Sequence, residues 1–405
     1  MGSNKAPGPD GLPVLFYKEY WQIIGADVIS MAPNAQKSIF ITANTDLSSA
    51  RLIRENFGFP NMSISSRHLG LPLILPRSKA VVSHDFQYRI ECKISDWKGK
   101  LLCQAGRAML IKSVVSSIPI YGMSLFLLPH PICTNIDSLL RKFWWGFKIH
   151  GNRHLYLHSW NKLCSPKSDG GLGIKKMKDL NLALISKLGW MMLSPTPQPW
   201  VKYLSAKYLK HFEFLHVEPR VSSSWAWKGI LKSRPFIAQG RCFLVGNGDT
   251  IRTWMDPWIP SLPSFVPKPK NGLQRLNSAS LVSHFIIASS RSWHVNLLQN
   301  TFDYLSINSI RQLHLPPAGT SDKMVWTPDT HGFFTVKSAY RQLSFNQSSI
   351  LGSGPSINWK KLWRLNMHER LKVLLWKVAC DILPTRHKIA QYLKSSFQGE
   401  SSLWG

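Results

Sequence analysis

The densest run of groups able to do chemistry lies between residues 141 and 178. It holds nine cations, Arg141, Lys142, Lys148, Arg153, Lys162, Lys167, Lys175, Lys176 and Lys178, and one acid, Asp169. Phe143, Trp144, Trp145, Phe147, Tyr156 and Trp160 are interleaved with them. Lys and Arg neutralise phosphates and release condensed counterions, while flat rings stack on unpaired bases. The stretch therefore reads either as a contact surface for RNA or DNA or as a solvated basic face over an aromatic core. Trp144 and Trp145 are adjacent and cannot face the same way on a helix. At least one of them is expected outside the apolar stripe of Ile136, Leu140 and Phe143. The residues assigned to phosphates and bases are Arg141, Lys142, Trp144, Trp145, Lys148, Arg153, Lys175, Lys176 and Lys178.

Other chemistries find less material. His150, His154 and His158 recur every four residues, a spacing at which a helix can share a metal between two imidazoles. Gly151 and Asn152 break such a helix, and His154-Leu155-Tyr156-Leu157-His158 alternates like a strand. Cys380 has only His387 after it, short of the roughly four ligands of a structural zinc. No zinc or other metal, cofactor or small-molecule substrate is expected. No G-x-S-x-G elbow and no phosphate-cradling G-x-x-x-x-G-K-[ST] occurs. Gly246-Asn247-Gly248-Asp249 reads as turn chemistry instead. No catalytic residue is assigned.

The charge has a distribution that matters more than its size. The chain of 405 residues carries 50 Lys and Arg against 21 Asp and Glu, a net +29. The first 200 residues hold 24 cations and 11 acids, and the remainder 26 and 10. A basic tail on a neutral enzyme is thereby excluded. An acidic partner is implied, with nucleic acid ahead of an anionic membrane. The run Ser113–Ile136 has no charged residue, but Pro119, Gly122, Pro129 and Pro131 interrupt it. Its apolar part, Val114–Leu128, is shorter than the ~20 residues a spanning helix needs. Six Cys with no C-x-x-C pair, and a polar opening with Gly and Pro, suit a nuclear or cytoplasmic protein rather than a secreted one.

These groups need a scaffold, and its periodicity is mostly helical. Phe16, Tyr20, Ile23 and Ile24 suggest one helix over 13–29. Leu69–Leu75 reads as a short strand or turn. Phe86, Ile90, Ile94 and Trp97 form one helical face. Further helices are expected over 104–117, ended by Pro119, and over 132–145, 175–193 and 198–210. The stripe of the 175–193 helix is Met177, Leu180, Leu184, Leu188 and Met191. The texture then changes. Arg241–Trp254 reads as a β-hairpin turning at 246–249, and Lys323–Val336 as a second turning at 328–332. The prolines of 256–273 signal a linker. Helices are expected over 292–314, 337–343 and 358–393, the last broken at Pro384, with a Ser- and Gly-rich loop at 344–356.

Several strings resemble, in order, one known family. NKAPGPDGLP (Asn4–Pro13) with FYKEYW (Phe16–Trp21) is similar to the fingers of reverse transcriptases from LINE-type, non-LTR retrotransposons, plant ones above all. QKSIF (Gln36–Phe40) resembles the lysine motif after the polymerase centre. HLGLPL (His68–Leu73) resembles the primer-grip strand, with His68 where the family has Tyr. WKGKLLCQAGRAMLIKSVVSSIPIY (Trp97–Tyr121) resembles the thumb. FWWG (Phe143–Gly146), SWNKLCSPKSDGGLGI (Ser159–Ile174), VGNGDTIRTWMDPWIP (Val245–Pro260) and FTVKSAY (Phe334–Tyr340) resemble the post-thumb region and the start of a reverse-transcriptase zinc-binding domain. WKVACDILPT (Trp376–Thr385) resembles that domain's W-x-x-x-x-x-x-L-P-T segment, so the domain is expected to be truncated.

The resemblance also implies what should be there. The family's palm carries aspartates that hold two Mg²⁺ ions ~3.5–4 Å apart, in an F-D-x-x-K-A-F-D-like strand and a [FY]-A-D-D hairpin. Neither occurs, and no two acids are adjacent anywhere in the chain. The palm is expected to be missing between about Ile29 and Lys37, leaving Lys37 without a reaction to assist. The resulting organisation is a fingers remnant (1–30), a lysine-motif, primer-grip and thumb-like region (31–130), a basic aromatic post-thumb region (131–255), a Pro-rich linker (256–290) and a truncated zinc-binding-like domain (291–405). The expected fold class is mainly α with small β-hairpins (α+β). The expected function is non-catalytic, non-specific binding of RNA or DNA, with no membrane partner. The alternative is a defective retroelement remnant with no selected activity.

Overall fold

The computed structural model describes residues 48, 51–52, 55, 67–68, 71–72, 79–98, 102–146, 156–210, 212–270, 280–348 and 357–390. The expected helix over 13–29, Lys37, and the expected sites at Lys148 and Arg153 lie outside them. The chain divides into two units, residues 1–75 and 76–405. In the first, Arg67–His68 pairs antiparallel with Leu71–Pro72, His68 opposite Leu71. Two short paired strands thus stand where Leu69–Leu75 suggests a short strand or turn.

The second unit is mainly helical with a few short strands, the class expected. Its helices follow the apolar periods. The helix Lys79–Lys98 buries Phe86, Ile90 and Ile94, and its Trp97 meets Phe143 at 5.9 Å. It packs on the helix His130–Trp145. That second helix starts where Pro131 pre-sets a helical φ, and stops at Gly146, whose φ of 66° is costly for any residue with a Cβ. The expected single helix over 104–117 is shorter. It runs Gln104–Ser113, tightens into a 3₁₀ turn at Val115–Ser117, and resumes as Ile120–Leu125 after Pro119. The uncharged run is thus core with a proline break. Among the described residues no helix is long and apolar enough to cross a membrane.

The helix Met177–Met191 is the hub of this unit. It packs against Ile120–Leu125, His130–Trp145, Trp225–Lys232, Arg234–Gly240 and Val336–Ser348. Neighbours on nearly every side explain why Asp179, Asn181 and Ser186 are buried beside Met177, Leu180, Ala183 and Ile185. Asn181 spends its amide usefully. It donates to Met123 O at 2.7 Å and Phe126 O at 2.9 Å, and accepts from Leu128 N at 2.7 Å. The loop ahead of Pro129 is fixed by these three bonds. The Gly170-Gly171-Leu172-Gly173 string returns the chain sharply towards the hub: Gly170 has φ 79°, and a Cβ on Gly171 would sit 2.0 Å from Ser165 O.

Both expected hairpins are replaced by one long-range pairing. Arg241–Leu244 pairs antiparallel with Lys323–Trp326, Cys242 opposite Val325. The Gly246–Asp249 turn does not fold the strand onto its own neighbour. Instead Gly246 N and Gly248 N donate to Asp322 Oδ1 at 2.7 and 2.8 Å, and Thr250 N and Oγ1 to Oδ2 at 3.0 and 2.8 Å. Residues 328–332 do turn, with Trp326 N donating to Gly332 O at 2.8 Å, but no second strand follows within the expected hairpin.

Residues 245–315 carry a core of their own between the two paired strands, built on Ile251, Trp258, Ile259, Val282, Leu298, Phe302 and Ile310. The described part of the Pro-rich segment packs into that core through Trp258, Ile259 and Leu262. Trp258 N and Ile259 N both donate to Phe265 O, at 2.8 and 2.9 Å, and the Trp258 indole donates to Thr253 O at 3.0 Å. The prolines limit backbone freedom between two large buried side chains. Under the paired strands Trp326 meets Trp190, Phe236 and Phe334 at 5.7, 5.5 and 4.8 Å. The expected helix over 292–314 is two short ones, Val295–Thr301 and Tyr304–Arg311, after a strand at Ser292–Trp293.

Candidate nucleic-acid interface

Trp144 and Trp145, expected to offer at least one ring to solvent, are 0% and 2% exposed. Their rings meet edge to face at 4.7 Å, and Trp144 meets Trp376 at 6.0 Å. The stripe argument fails here because the helix His130–Trp145 is covered on more than one face. Lys79–Lys98, Gln104–Ser113 and Met177–Met191 all pack on it, and Trp376 closes the end. Neither indole can stack on a base. Phe143, Trp144 and Trp145 serve the core, whereas Lys142, Lys162, Lys167, Lys175 and Lys178 are exposed and Arg141 and Lys176 half-buried.

Those cations divide into two groups. Lys142 is exposed on the helix. Arg141, Lys176 and Lys178 line one cleft of about 480 Å³, with His130, Asp137, Trp160 and Asp179. Arg141 and Asp137 are one turn apart on the same helix face. Lys176 and Lys178 arrive on the first turn of the hub helix, about 35 residues later in sequence. Lys175 is exposed beside them, its Nζ 5.9 Å from the Tyr340 ring.

Local structure explains the positioning. Ile174 is buried and anchors the approach. Lys176 N donates to Tyr340 Oη at 3.0 Å, and Met177 N to Asp137 Oδ1 at 3.2 Å. Asp137 therefore caps the hub helix from outside, where an acceptor with negative charge suits the first free amides. Lys176 and Lys178 flank that cap. Opposite, the guanidinium of Arg141 lies 4.3 Å from the Tyr156 ring centroid, a cation–π contact that holds it at the rim.

The electrostatics of the cleft are mixed. Burial pushes the Asp137 carboxyl up to about 7. The Met177 N–H and the Trp160 side chain, which both hydrogen-bond to it, pull the other way with a smaller pull from Lys176, and Asp179 adds to the rise. Burial likewise pushes the Cys133 thiol up to about 12 and the Cys164 thiol well above its ordinary range. Near neutrality neither thiol is ionised, so neither is an activated nucleophile.

The cleft continues into a second hollow of about 700 Å³ that shares His130 and Lys178 with it. Its walls include Leu127, Pro129, Trp225, Lys228, Lys232 and Arg234. Arg234 donates to the carbonyls of Phe214, Leu215 and Val217 at 3.3, 3.1 and 2.7 Å, which ties it to the fold. Lys178 and Lys232 are exposed along this groove. Sequence reading missed Lys228, Lys232 and Arg234 because they lie some 50 residues from the basic stretch. It missed Asp137 although the i, i+4 spacing to Arg141 was readable.

Among the described residues no group of three or more His, Cys, Asp or Glu is placed to hold a metal ion. His158 is half-buried against Trp376 at 6.0 Å, and Cys380 closes the helix Glu369–Ala379. His150 and His154 lie outside the described residues.

No protein-family model matches the chain. It is 30% identical over 327 residues to a protein of Arabidopsis thaliana named "Putative ribonuclease H protein", covering 78% of this chain and 51% of that relative. It is 28% identical over 144 residues to an uncharacterized mitochondrial protein of the same plant, covering 35% of this chain and 93% of that relative. The chain thus spans about half the length of the first of these relatives.

Proposed function

We propose that this chain is a retroelement-derived, reverse-transcriptase-related protein that binds RNA or DNA along the His130–Lys178 groove without polymerase chemistry. The observation that carries the reading is the convergence of Arg141, Lys176 and Lys178, distant in sequence, on one cleft. The net +29 supports it. So do the ordered strings that resemble non-LTR reverse transcriptases, and the two plant relatives. Point charges on phosphates carry little sequence information, so binding is salt-steep and broadly sequence-tolerant in its backbone component.

The name of the first relative brings a second activity into view, cleavage of RNA in an RNA–DNA hybrid. That chemistry, like nucleotide addition, places two divalent ions between carboxylates. Assays with Mg²⁺ or Mn²⁺ on a primed template and on an RNA–DNA hybrid test both, and neither extension nor cleavage is expected.

Binding is measured by fluorescence anisotropy of a labelled single strand at stepped salt. Each phosphate contact adds about 0.7 to the slope of log K against log salt. Replacing Arg141, Lys176 and Lys178 by Gln together should lower that slope by about 2, three contacts at that value. An unchanged slope rejects the groove. A wild-type chain that binds nothing at low salt rejects nucleic-acid binding altogether and favours a remnant without selected activity.

A further inference from the structure

We propose that the cleft takes one unpaired guanine base, whose Watson–Crick edge is read by the Asp137 carboxylate while Arg141, Lys176 and Lys178 hold the adjoining phosphates. This rests on the nucleic-acid reading and assigns the cleft a base preference which that reading lacks.

The starting point is a mismatch. A cleft built for phosphates alone gains nothing from acids in its wall, yet Asp137 and Asp179 both line it. Asp137 has structural duties, since its Oδ1 accepts Met177 N at 3.2 Å and its carboxyl also takes a hydrogen bond from the Trp160 side chain. Two donors do not exhaust a carboxylate, which offers about four lone-pair sites on two oxygens and no donor. Its remaining capacity suits neighbouring N–H groups set side by side. Such a pair occurs in guanidinium groups and on the Watson–Crick edge of guanine, at N1–H and the N2 amine. Adenine and cytosine present one amine beside an acceptor, and uracil one N–H between two carbonyls. Those acceptors would face the carboxylate and be repelled.

Charge then separates the two surviving ligands. A guanidinium would enter beside Arg141, Lys176 and Lys178, three cations that repel it. Guanine is neutral and brings its own phosphates, which those cations attract. The cleft of about 480 Å³ has room for a base, and Trp160 adds an aromatic surface to its wall. In a duplex the Watson–Crick edge is occupied, so the base must come from a single strand, loop or end.

The test uses the full chain at pH 8 and labelled uridine tracts of equal length. The tracts carry one central guanosine, inosine, adenosine, cytidine or no substitution. The guanosine tract should bind about tenfold tighter than the adenosine, cytidine and all-uridine tracts, as expected for one good paired contact. Inosine keeps N1–H but lacks the amine and should fall between. Asp137→Asn keeps an acceptor for Met177 N and should bind all five tracts alike, at the wild-type affinity for uridine. Equal wild-type affinity for guanosine and inosine tracts overturns the proposal, and this comparison needs no variant to fold. A guanosine preference that survives in Asp137→Asn also overturns it, by removing the carboxylate from the contact. Wild-type binding to every tract without preference refutes the guanine site and leaves the groove standing. No binding to any tract refutes both.

Discussion

Asp137 is a carboxyl that the fold keeps protonated well above its ordinary range, and stability should show it. The ordinary value is 3.8, and burial raises it to about 7 in the folded chain. Between those values the folded state holds a proton that the unfolded chain has lost. Stability from this group is therefore complete below about pH 4, falls as pH rises, and is gone above about pH 7. From pH 5 to 7 the group crosses about two pH units at ~1.4 kcal/mol each, so it costs the wild type about 2–3 kcal/mol over that interval. Asp137→Asn removes the titration and keeps an acceptor for the Met177 amide. Other titrating or charged groups facing Asp137 are His130 and Arg141 on its own helix, Lys176, Lys178 and Asp179 on the hub segment, and Cys133 and Cys164 behind it. All of them are common to both chains and cancel in the comparison. The assay is urea unfolding followed by tryptophan fluorescence at pH 5 and pH 8. The variant should gain about 2–3 kcal/mol on the wild type between the two pH values. Parallel pH profiles for the two chains would show that Asp137 ionises in the fold as freely as in water, and would refute the argument.

Asp322 receives four hydrogen bonds from Gly246, Gly248 and Thr250, so Asp322→Ala should cost about 2 kcal/mol, and limited proteolysis should first cut within 245–322. Trp376 is fully buried and donates to Gly170 O at 2.8 Å; Trp376→Phe should cost about 1–2 kcal/mol for the orphaned carbonyl and Trp376→Ala about 3–5 for the added cavity, both by urea unfolding. The salt slope of the Arg141, Lys176 and Lys178 triple variant should fall by about 2, as measured by anisotropy.

The sequence made the helices legible because their signal is local. Phe86, Ile90 and Ile94 recur with the helical period, and the helix that buries them follows from that alone. The strands were misread for the opposite reason. Alternation around Gly246-Asn247-Gly248-Asp249 says that strand and turn chemistry are present, but not which strand pairs with which. Here the partner of Arg241–Leu244 lies about 80 residues on, beyond an inserted core. The carboxylate that satisfies the turn amides, Asp322, is equally remote. Proline misled in the same way. Its density at 256–273 reads as a spacer, but Trp258 and Ile259 within the described part pack in one cluster with Phe302.

The candidate site divides along a similar line. Net charge is a property of composition, so the basic stretch is legible at once, and Lys142, Lys162, Lys167, Lys175 and Lys178 are exposed. The tryptophans beside them were misassigned because a single stripe was assumed for a helix that has neighbours on several faces. A residue buried by its own helix's stripe can be found from spacing. Burial by a ring from residue 376 cannot. The acid in the cleft is the instructive case. Asp137 precedes Arg141 by one turn, a spacing usually read as an intrahelical ion pair. In the folded chain that carboxylate caps a different helix instead. Above about pH 7 its negative charge then lies in the same cleft as Arg141, Lys176 and Lys178. A groove that combines positive charge with a fixed acceptor offers more than phosphate attraction, and the guanine proposal rests on that combination. The proposed base preference therefore stands or falls with this one carboxylate, which is why the guanosine and inosine tracts are compared before any affinity is ranked.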